Sequence, residues 1–304
     1  MEHRPQIPKI AAVIVTFNRI DMLRDAISAV KAQILQAHII VINNGSTDGT
    51  LQYLNSVENI TVITQENLGG AGGFYTGMKY ACENGFDFVW VMDDDVLPEP
   101  DCLEILYKDY QYLSAYENVG YICSRVFSTT GEVANVPIID YKANSTGYAD
   151  WAKYLDKGII KVESSTFVSV FIPTQVIFTL GLPYLEFFIW GDDTEYTRRI
   201  TNSNYSAYLS GKSNIIHRRI GGALDINQFK DKSRIKMYSF SMRNSIFISR
   251  KFDSKRILFY QLYLFFKLAA KQLLKGQFLK SKVILTGIIK GLFFNPNIRY
   301  PEAK

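Results

Sequence analysis

Cysteine and histidine are both scarce in this chain, with three of each among 304 residues. Cys82, Cys102 and Cys123 form no C-x-x-C pair, and an odd count gives no disulfide framework, so a reducing, cytosolic setting is expected. The opening residues MEHRPQIPKI lack the apolar core of a secretory signal, and export is not expected. Long uninterrupted apolar runs are also lacking. In the tail, Arg256–Lys275 is broken by Lys267 and Lys271, and Lys282–Phe294 by Lys290. Neither reaches the roughly 18 apolar residues of a membrane span, so both are expected to be amphipathic helices that lie on an anionic membrane surface or pack on protein, on the same chain or a second subunit. Acidic residues nearly vanish after position 211: residues 212–304 carry 20 Lys+Arg against 4 Asp+Glu, a net +16, whereas residues 1–211 carry 14 against 25, a net −11. An acidic front that can bind cations and a basic back that meets something anionic imply two jobs. The basic residues are interleaved with long apolar stretches, which argues for a membrane surface and against nucleic acid as the partner.

What is present begins with buried strands. Lys9–Thr16, His38–Ile42, Ile60–Thr64 and Phe86–Met92 are apolar runs of strand length, separated by helical spacing over Asp21–Gln33 and from Asn67–Phe74 on through Glu83. Their alternation predicts a doubly wound parallel sheet. Val119–Phe127 and Ser165–Ile172 are further strand candidates, Asp140–Ile159 has loop character, and Asp193 opens a helix with acids first and arginines later.

Asp93, Asp94 and Asp95 follow the fourth strand directly. Taken alone, an acidic triplet is ordinarily a solvated turn. At the carboxyl end of a buried parallel strand it stands where open α/β sheets bind ligands, and crowded carboxylates repel one another unless a cation holds them. Two other motifs are decoys. Counting G-x-G-x-x-G from Gly70 puts Tyr75 where the third glycine belongs, and Gly211-Lys212-Ser213 lacks the first glycine of a P-loop because Ser206 stands there. The pair Asp192-Asp193 alone would be a helix N-terminal acid pair, and beside a metal site one of them is a candidate proton acceptor. His217 ends a short apolar strand and precedes Arg218, Arg219 and Gly221-Gly222, a setting that suits a phosphate-facing loop.

In order, VTFNR (Val15–Arg19), NNGSTDGT (Asn43–Thr50), NLGGAGGF (Asn67–Phe74), VMDDD, WGDDTEY and IIHRR resemble the inverting family-two glycosyltransferases, closest to their bacterial galactofuranosyl- and rhamnosyltransferase branch. The resemblance covers about residues 9–250, including Tyr238 and Arg243-Asn244, and implies a GT-A type, Rossmann-like nucleotide-sugar fold with a mixed central sheet, the basic helices of 251–304 forming an appendage. It implies that Thr16, Arg19, Asn43 and Asn44 hold the nucleotide base and ribose. Asn67, Gly70, Gly72, Asp93, Asp94 and Trp190 would line the donor site. Asp93, Asp95 and His217 would bind a divalent metal, manganese or magnesium, and Asp193, with Asp192 beside it, would be the catalytic base. The expected activity is transfer of galactofuranose from UDP-galactofuranose to a lipid-linked or cell-surface glycan at the inner face of the cell membrane. Rhamnosyl transfer from dTDP-rhamnose is the alternative, because Asn43-Asn44 stand where many relatives carry an acid. Rival classes are a metal-dependent nucleotidyltransferase or phosphohydrolase, and a membrane-bound scaffold without activity.

Overall fold

The computed structural model describes residues 8–218 and 225–302; Arg219 and the glycine pair that follows it lie outside the described residues. Strands β1 (Ile10–Thr16), β2 (His38–Asn43), β3 (Ile60–Thr64) and β4 (Phe88–Asp93) alternate with helices α1 (Ile20–Lys31), α2 (Thr50–Asn55) and α3 (Gly69–Glu83). All four strands run parallel, in the order β3-β2-β1-β4. β1 is buried along its whole length, which explains why it reads as an unbroken apolar run rather than an alternating one. α3 lies so close to β1 that a Cβ at Gly77 would stand 2.3 Å from Val13 Cγ1, and one at Gly73 2.3 Å from Val15 Cγ1. Two of the glycines in the NLGGAGGF region and its continuation are therefore packing glycines.

The rest of the chain completes a mixed sheet. It contributes β5 (Val96–Pro98), α4 (Cys102–Ser114), β6 (Val119–Ser128), β7 (Val133–Ala134), β8 (Ile138–Ile139), β9 (Ile159–Ser164), β10 (Val170–Pro173), α5 (Thr174–Leu180), α6 (Asp192–Thr201) and β11 (Ser206–His217). β10 inserts antiparallel between β4 and β6, and β11 pairs parallel with β6 and antiparallel with β9 and β5. The parallel sheet expected for the front half is thus one part of a mixed sheet. One apolar cluster lies on the face covered by α1 and α4, and a second on the face covered by α3, α5 and α6. β11 is longer than its apolar end suggested, because Ser210 and Ser213 are buried polar residues that interrupt the pattern. The Gly211-Lys212-Ser213 decoy falls at a register irregularity of this strand, where the Ser213 hydroxyl bonds to Ser124 and to the Cys102 carbonyl.

Helices α7 (Lys232–Phe252), α8 (Lys255–Leu274) and α9 (Phe278–Phe293) build a third core around Ile235, Met242, Ile246, Ala269, Ile284 and Ile288. Residue 250, the expected boundary, lies inside α7, which packs both on α9 and on α6. α7 and α9 cross closely at Gly287 and Gly291, where added Cβ atoms would meet Met242 Cβ at 2.5 Å and Ile246 Cβ at 2.8 Å. The chain then returns to the sheet domain: Leu182 N–H donates to Arg299 O at 2.8 Å, and Arg299 pairs with Glu186. α8 is the one helix among the described residues long and apolar enough, by length and composition, to cross a membrane. Only 11% of its apolar window is buried, Lys267 falls within it, and its Leu258, Leu262, Phe265 and Leu268 pack on the third core.

Candidate active site

The carboxyl ends of β1 and β4 lie side by side, with Val15 paired to Asp93. The aspartate triplet therefore emerges at the sheet edge next to the loop that follows β1. Thr16 Oγ1 donates to Asp94 Oδ2 at 2.7 Å, and Arg19 Nη1 donates to Asp94 Oδ1 at 3.2 Å and to Asp95 Oδ2 at 2.9 Å. In this structure Thr16 and Arg19 thus brace the acidic cluster. Asp94 is pushed up to about 6 by burial, which outweighs the Thr16 hydrogen bond and the Arg19 charge. Burial, followed by the charges of Asp95 and Asp94, raises Asp93 well above the ordinary carboxylate value. Burial also opposes the charge of Asp95, yet His217 and Arg19 hold its carboxyl below that value.

His217 comes from the end of β11, about 120 residues away in sequence, because β11 pairs with β5 just beyond the triplet, His217 opposite Val96. One ligand atom from each of Asp93, Asp95 and His217 can be chosen so that all lie within 4.8 Å of one another. A cation fits this donor set for a further reason. Asn135 Nδ2 donates to Thr166, so its Oδ1 faces His217 Nδ1 at 2.9 Å and takes that N–H. Nε2 is thereby turned to the buried Asp95 Oδ1, 3.1 Å away, the pairing that lowers the Asp95 carboxyl and that a divalent cation would join. The Arg218 side chain turns away, donating to Asp25 Oδ2 at 2.6 Å and to Met22 O at 3.1 Å on α1.

Asn43 ends β2 and Asn44 follows it, at the same carboxyl end of the sheet as the triplet, and both are buried. Asn43 Oδ1 accepts from Ser46 N–H at 3.1 Å. Asn44 donates to Gly69 O at 2.8 Å and accepts from Leu68 N–H at 3.2 Å, fastening the 65–69 loop to β2. Asn67 Oδ1 accepts from Gly69 N–H at 2.9 Å. Gly70 faces open space, with nothing within 4 Å of an added Cβ, so a ligand can approach its backbone; Gly72 instead backs onto Leu68, whose Cβ would be 2.4 Å away.

The second acidic pair enters on α6, which begins at Asp192, one residue earlier than the sequence suggested. Its N-cap is Gly191 at φ +91, and before it Trp190 and Phe188 both have φ +63. Ile189 N–H donates to Phe187 O at 2.7 Å, closing a γ-turn of the rare positive-φ kind around Phe188. Backbone of this sort costs about 1–3 kcal/mol per residue and concentrates at functional sites. Burial, then the neighbouring Asp193 charge, pushes Asp192 up to about 8. Asp193 is also raised by burial, even though Thr194 N–H donates to its Oδ1 at 2.6 Å. Asp192 is near enough to the triplet to contribute to the rise in Asp93. Trp190 lies parallel to Phe229, ring centres 6.4 Å apart, and lines a cavity of about 290 Å³ with Thr194 of α6, Ser241 and Ser245 of α7 and Gln261 of α8.

The glycosyl transferase family 2 pattern matches residues 11–171, from β1 through β10 and across the triplet. The chain belongs to this family. Two curated relatives are both named galactofuranosyltransferase GlfT1. The one from Mycobacterium tuberculosis is 30% identical over 199 residues, covering 63% of this chain and 64% of the relative. The one from Mycolicibacterium smegmatis is 25% identical over 201 residues, covering 64% and 66%. The matches thus span a little under two thirds of the relatives' length. Among solved structures, one titled as GalNAc-T7 with UDP, GalNAc and Mn2+ aligns with TM-score 0.61 and 13% identity over 81% of this chain and 48% of that one, a likeness of fold. In this family-2 transferase the structure brings Asp93, Asp94, Asp95, Thr16, Arg19 and His217 into one cluster and sets Trp190, Asp192 and Asp193 on a second element. Sequence reasoning passed over Asn135, whose only local signal was a polar residue between short strands, and Thr194 and Phe229, which had none.

Proposed function

We propose that this glycosyltransferase is an inverting enzyme that moves galactofuranose from UDP-galactofuranose to a hydroxyl of a glycan acceptor, with a divalent cation at Asp93, Asp95 and His217. The observation that carries this reading is the pairing of a cation-ready donor set with a separate, raised carboxylate, Asp193, on the opposing helix. The cation would act as a Lewis acid on the departing diphosphate. Thr16 and Arg19 hold Asp94 and Asp95 in place, and Gly70 leaves room for the donor against the sheet edge. Asp193 takes the proton of the acceptor hydroxyl as its oxygen bonds to the sugar's anomeric carbon. The bond from that carbon to UDP breaks on the opposite face, so the anomeric centre inverts. One base suffices, because the leaving diphosphate needs no proton, unlike the leaving group in glycoside hydrolysis. The cavity of Trp190, Thr194, Ser241, Ser245 and Gln261 offers an aromatic face and hydroxyl and amide groups, which is sugar-binding chemistry, and Thr194 Oγ1 is 3.3 Å from Asp193 Oδ1.

The acceptor is a lipid-linked glycan in this reading, with the enzyme peripheral on the inner face of the cell membrane. Support comes from α8, whose Phe259, Tyr260, Tyr263 and Phe266 are each more than half exposed near Lys255, Arg256 and Lys267. A thermal-shift screen of nucleotide sugars with Mn2+ or Mg2+ tests the proposal. UDP-galactofuranose with the cation should raise the melting temperature, about 2.7 kcal/mol of stabilisation at a hundredfold excess over Kd, and turnover should release UDP. A shift unchanged by EDTA, or release of pyrophosphate or phosphate, would overturn it.

A further inference from the structure

The strained approach to α6 needs something to hold it, and that something lies on α7. Asn244 has no exposed surface, and its Nδ2 donates to Phe187 O at 3.0 Å, Ile189 O at 3.1 Å and Trp190 O at 2.7 Å. The amide cannot turn over without loss, because Arg243 Nε donates to its Oδ1 at 2.9 Å. Arg243 Nη2 in turn donates to Glu186 O at 2.6 Å and Phe187 O at 3.1 Å. Residues 186–190 therefore hang from two adjacent side chains of one helix. Their other side is pressed on the start of α3: Ala71 N–H donates to Phe188 O at 3.2 Å, and a Cβ at Gly69 would stand 1.9 Å from that same oxygen. The downstream end of the loop is Gly191, the N-cap of α6, so Trp190, whose carbonyl Asn244 holds, immediately precedes the cap of the helix that carries Asp193 as its second residue.

A buried amide that merely satisfied carbonyls would serve equally well for a relaxed loop. Here it holds a loop with two non-glycine residues at φ +63, which the local backbone would not keep unaided. We infer that Asn244 is a positioning residue for transfer: it clamps the 187–190 loop in the conformation that aims Asp193 at the acceptor hydroxyl and Trp190 at the sugar. The inference rests on the proposed role of Asp193 as base.

Two variants test it: Asn244→Asp, of equal volume but with carboxylate oxygens turned to the carbonyls, and Asn244→Ala. Transfer from UDP-galactofuranose to an octyl galactoside and hydrolysis of the same donor by water are compared in each preparation. Their ratio is independent of the fraction of enzyme that is folded. The ratio should fall on the order of 10²-fold, as expected of a misplaced reacting group, while the thermal shift given by the donor is unchanged. Acrylamide quenching of Trp190 emission, with Trp190→Phe as the blank, should rise in both variants whether or not the acceptor is used. Transfer and hydrolysis falling together, unchanged Trp190 quenching, or failure of both variants to fold would overturn the inference and leave Asn244 a residue of stability. Asp193→Asn in the same assay separates the two claims: normal transfer there would remove the base itself, whereas abolished transfer with an unaltered ratio in the Asn244 variants removes only the clamp.

Discussion

At the scale of single residues, the carboxylates of the two acidic clusters hold their protons differently because their surroundings differ. His217 and Arg19 hold the Asp95 carboxyl below its ordinary value, whereas Asp192 is pushed up by burial and by the Asp193 charge, and Asp193 by burial. Asp193→Asn should lower transfer about 10²–10⁴-fold, the usual weight of a general base, and leave donor affinity intact; steady-state kinetics with a donor thermal shift measures both. The pH dependence of stability follows from Asp192, at about 8 in the folded protein against about 4 in the unfolded chain. The folded state keeps a proton that the unfolded chain gives up, so this contribution is full below about pH 4 and is lost as the pH rises through about 8. The melting temperature measured without divalent cation should fall over that range, and Asp192→Asn should flatten the fall; an unaltered slope would exclude Asp192 as its source. Asn135 orients His217 from behind. Asn135→Leu should weaken Mn2+ binding roughly 10–100-fold by titration calorimetry. The triplet and the WGDD pair were legible because their carboxylates follow or open regular elements. Asn135 was not, because its role exists only once the short strands around it bring it beside β11.

At the scale of elements, glycines separate packing from access. Gly73 and Gly77 bring α3 onto β1, and Gly287 and Gly291 bring α9 onto α7, whereas Gly70 meets nothing. Gly77→Ala should cost about 1–3 kcal/mol in urea denaturation, because the new methyl overlaps Val13 in a filled core. Gly70→Ala should change stability by less than about 0.5 kcal/mol, and a weakened donor shift in that variant would locate the donor against its backbone. In sequence the glycine-rich stretch opened a helix, and the resemblance assigned its Gly70 and Gly72 to the donor site. The structure divides it between a ligand-accessible position and helix–sheet contacts, a distinction that requires knowing what lies opposite each Cα. β1, β2 and β4 were legible for the converse reason: buried on both faces, they show as runs. β11 was read only at its end, because buried serines that bond to one another and to Cys102 look, in sequence, like a polar loop.

At the scale of the whole molecule, the basic, aromatic surface of α8 lies on a helical unit fastened to the catalytic layer by α7 and by the returning residues 294–302. Replacing Phe259, Tyr260, Tyr263 and Phe266 together by serine should abolish co-sedimentation with anionic phospholipid vesicles without lowering the melting temperature, since these side chains project from the core. Vesicle binding that survives the replacement would assign the surface to another partner.

By itself, the order of motifs along the chain determined the family and the type of fold and singled out the carboxylates of the candidate site, because these are local: a strand, the residue that ends it, the helix that follows. Tertiary structure alone decided which of them meet. His217 reaches Asp95 through the pairing of β11 with β5, and Asn244 reaches the turn before Asp193 because α7 packs behind α6. Such contacts join positions some 55 to 120 residues apart. No spacing rule spans such distances, since they are set by how sheets and helices pack rather than by the period of any one element.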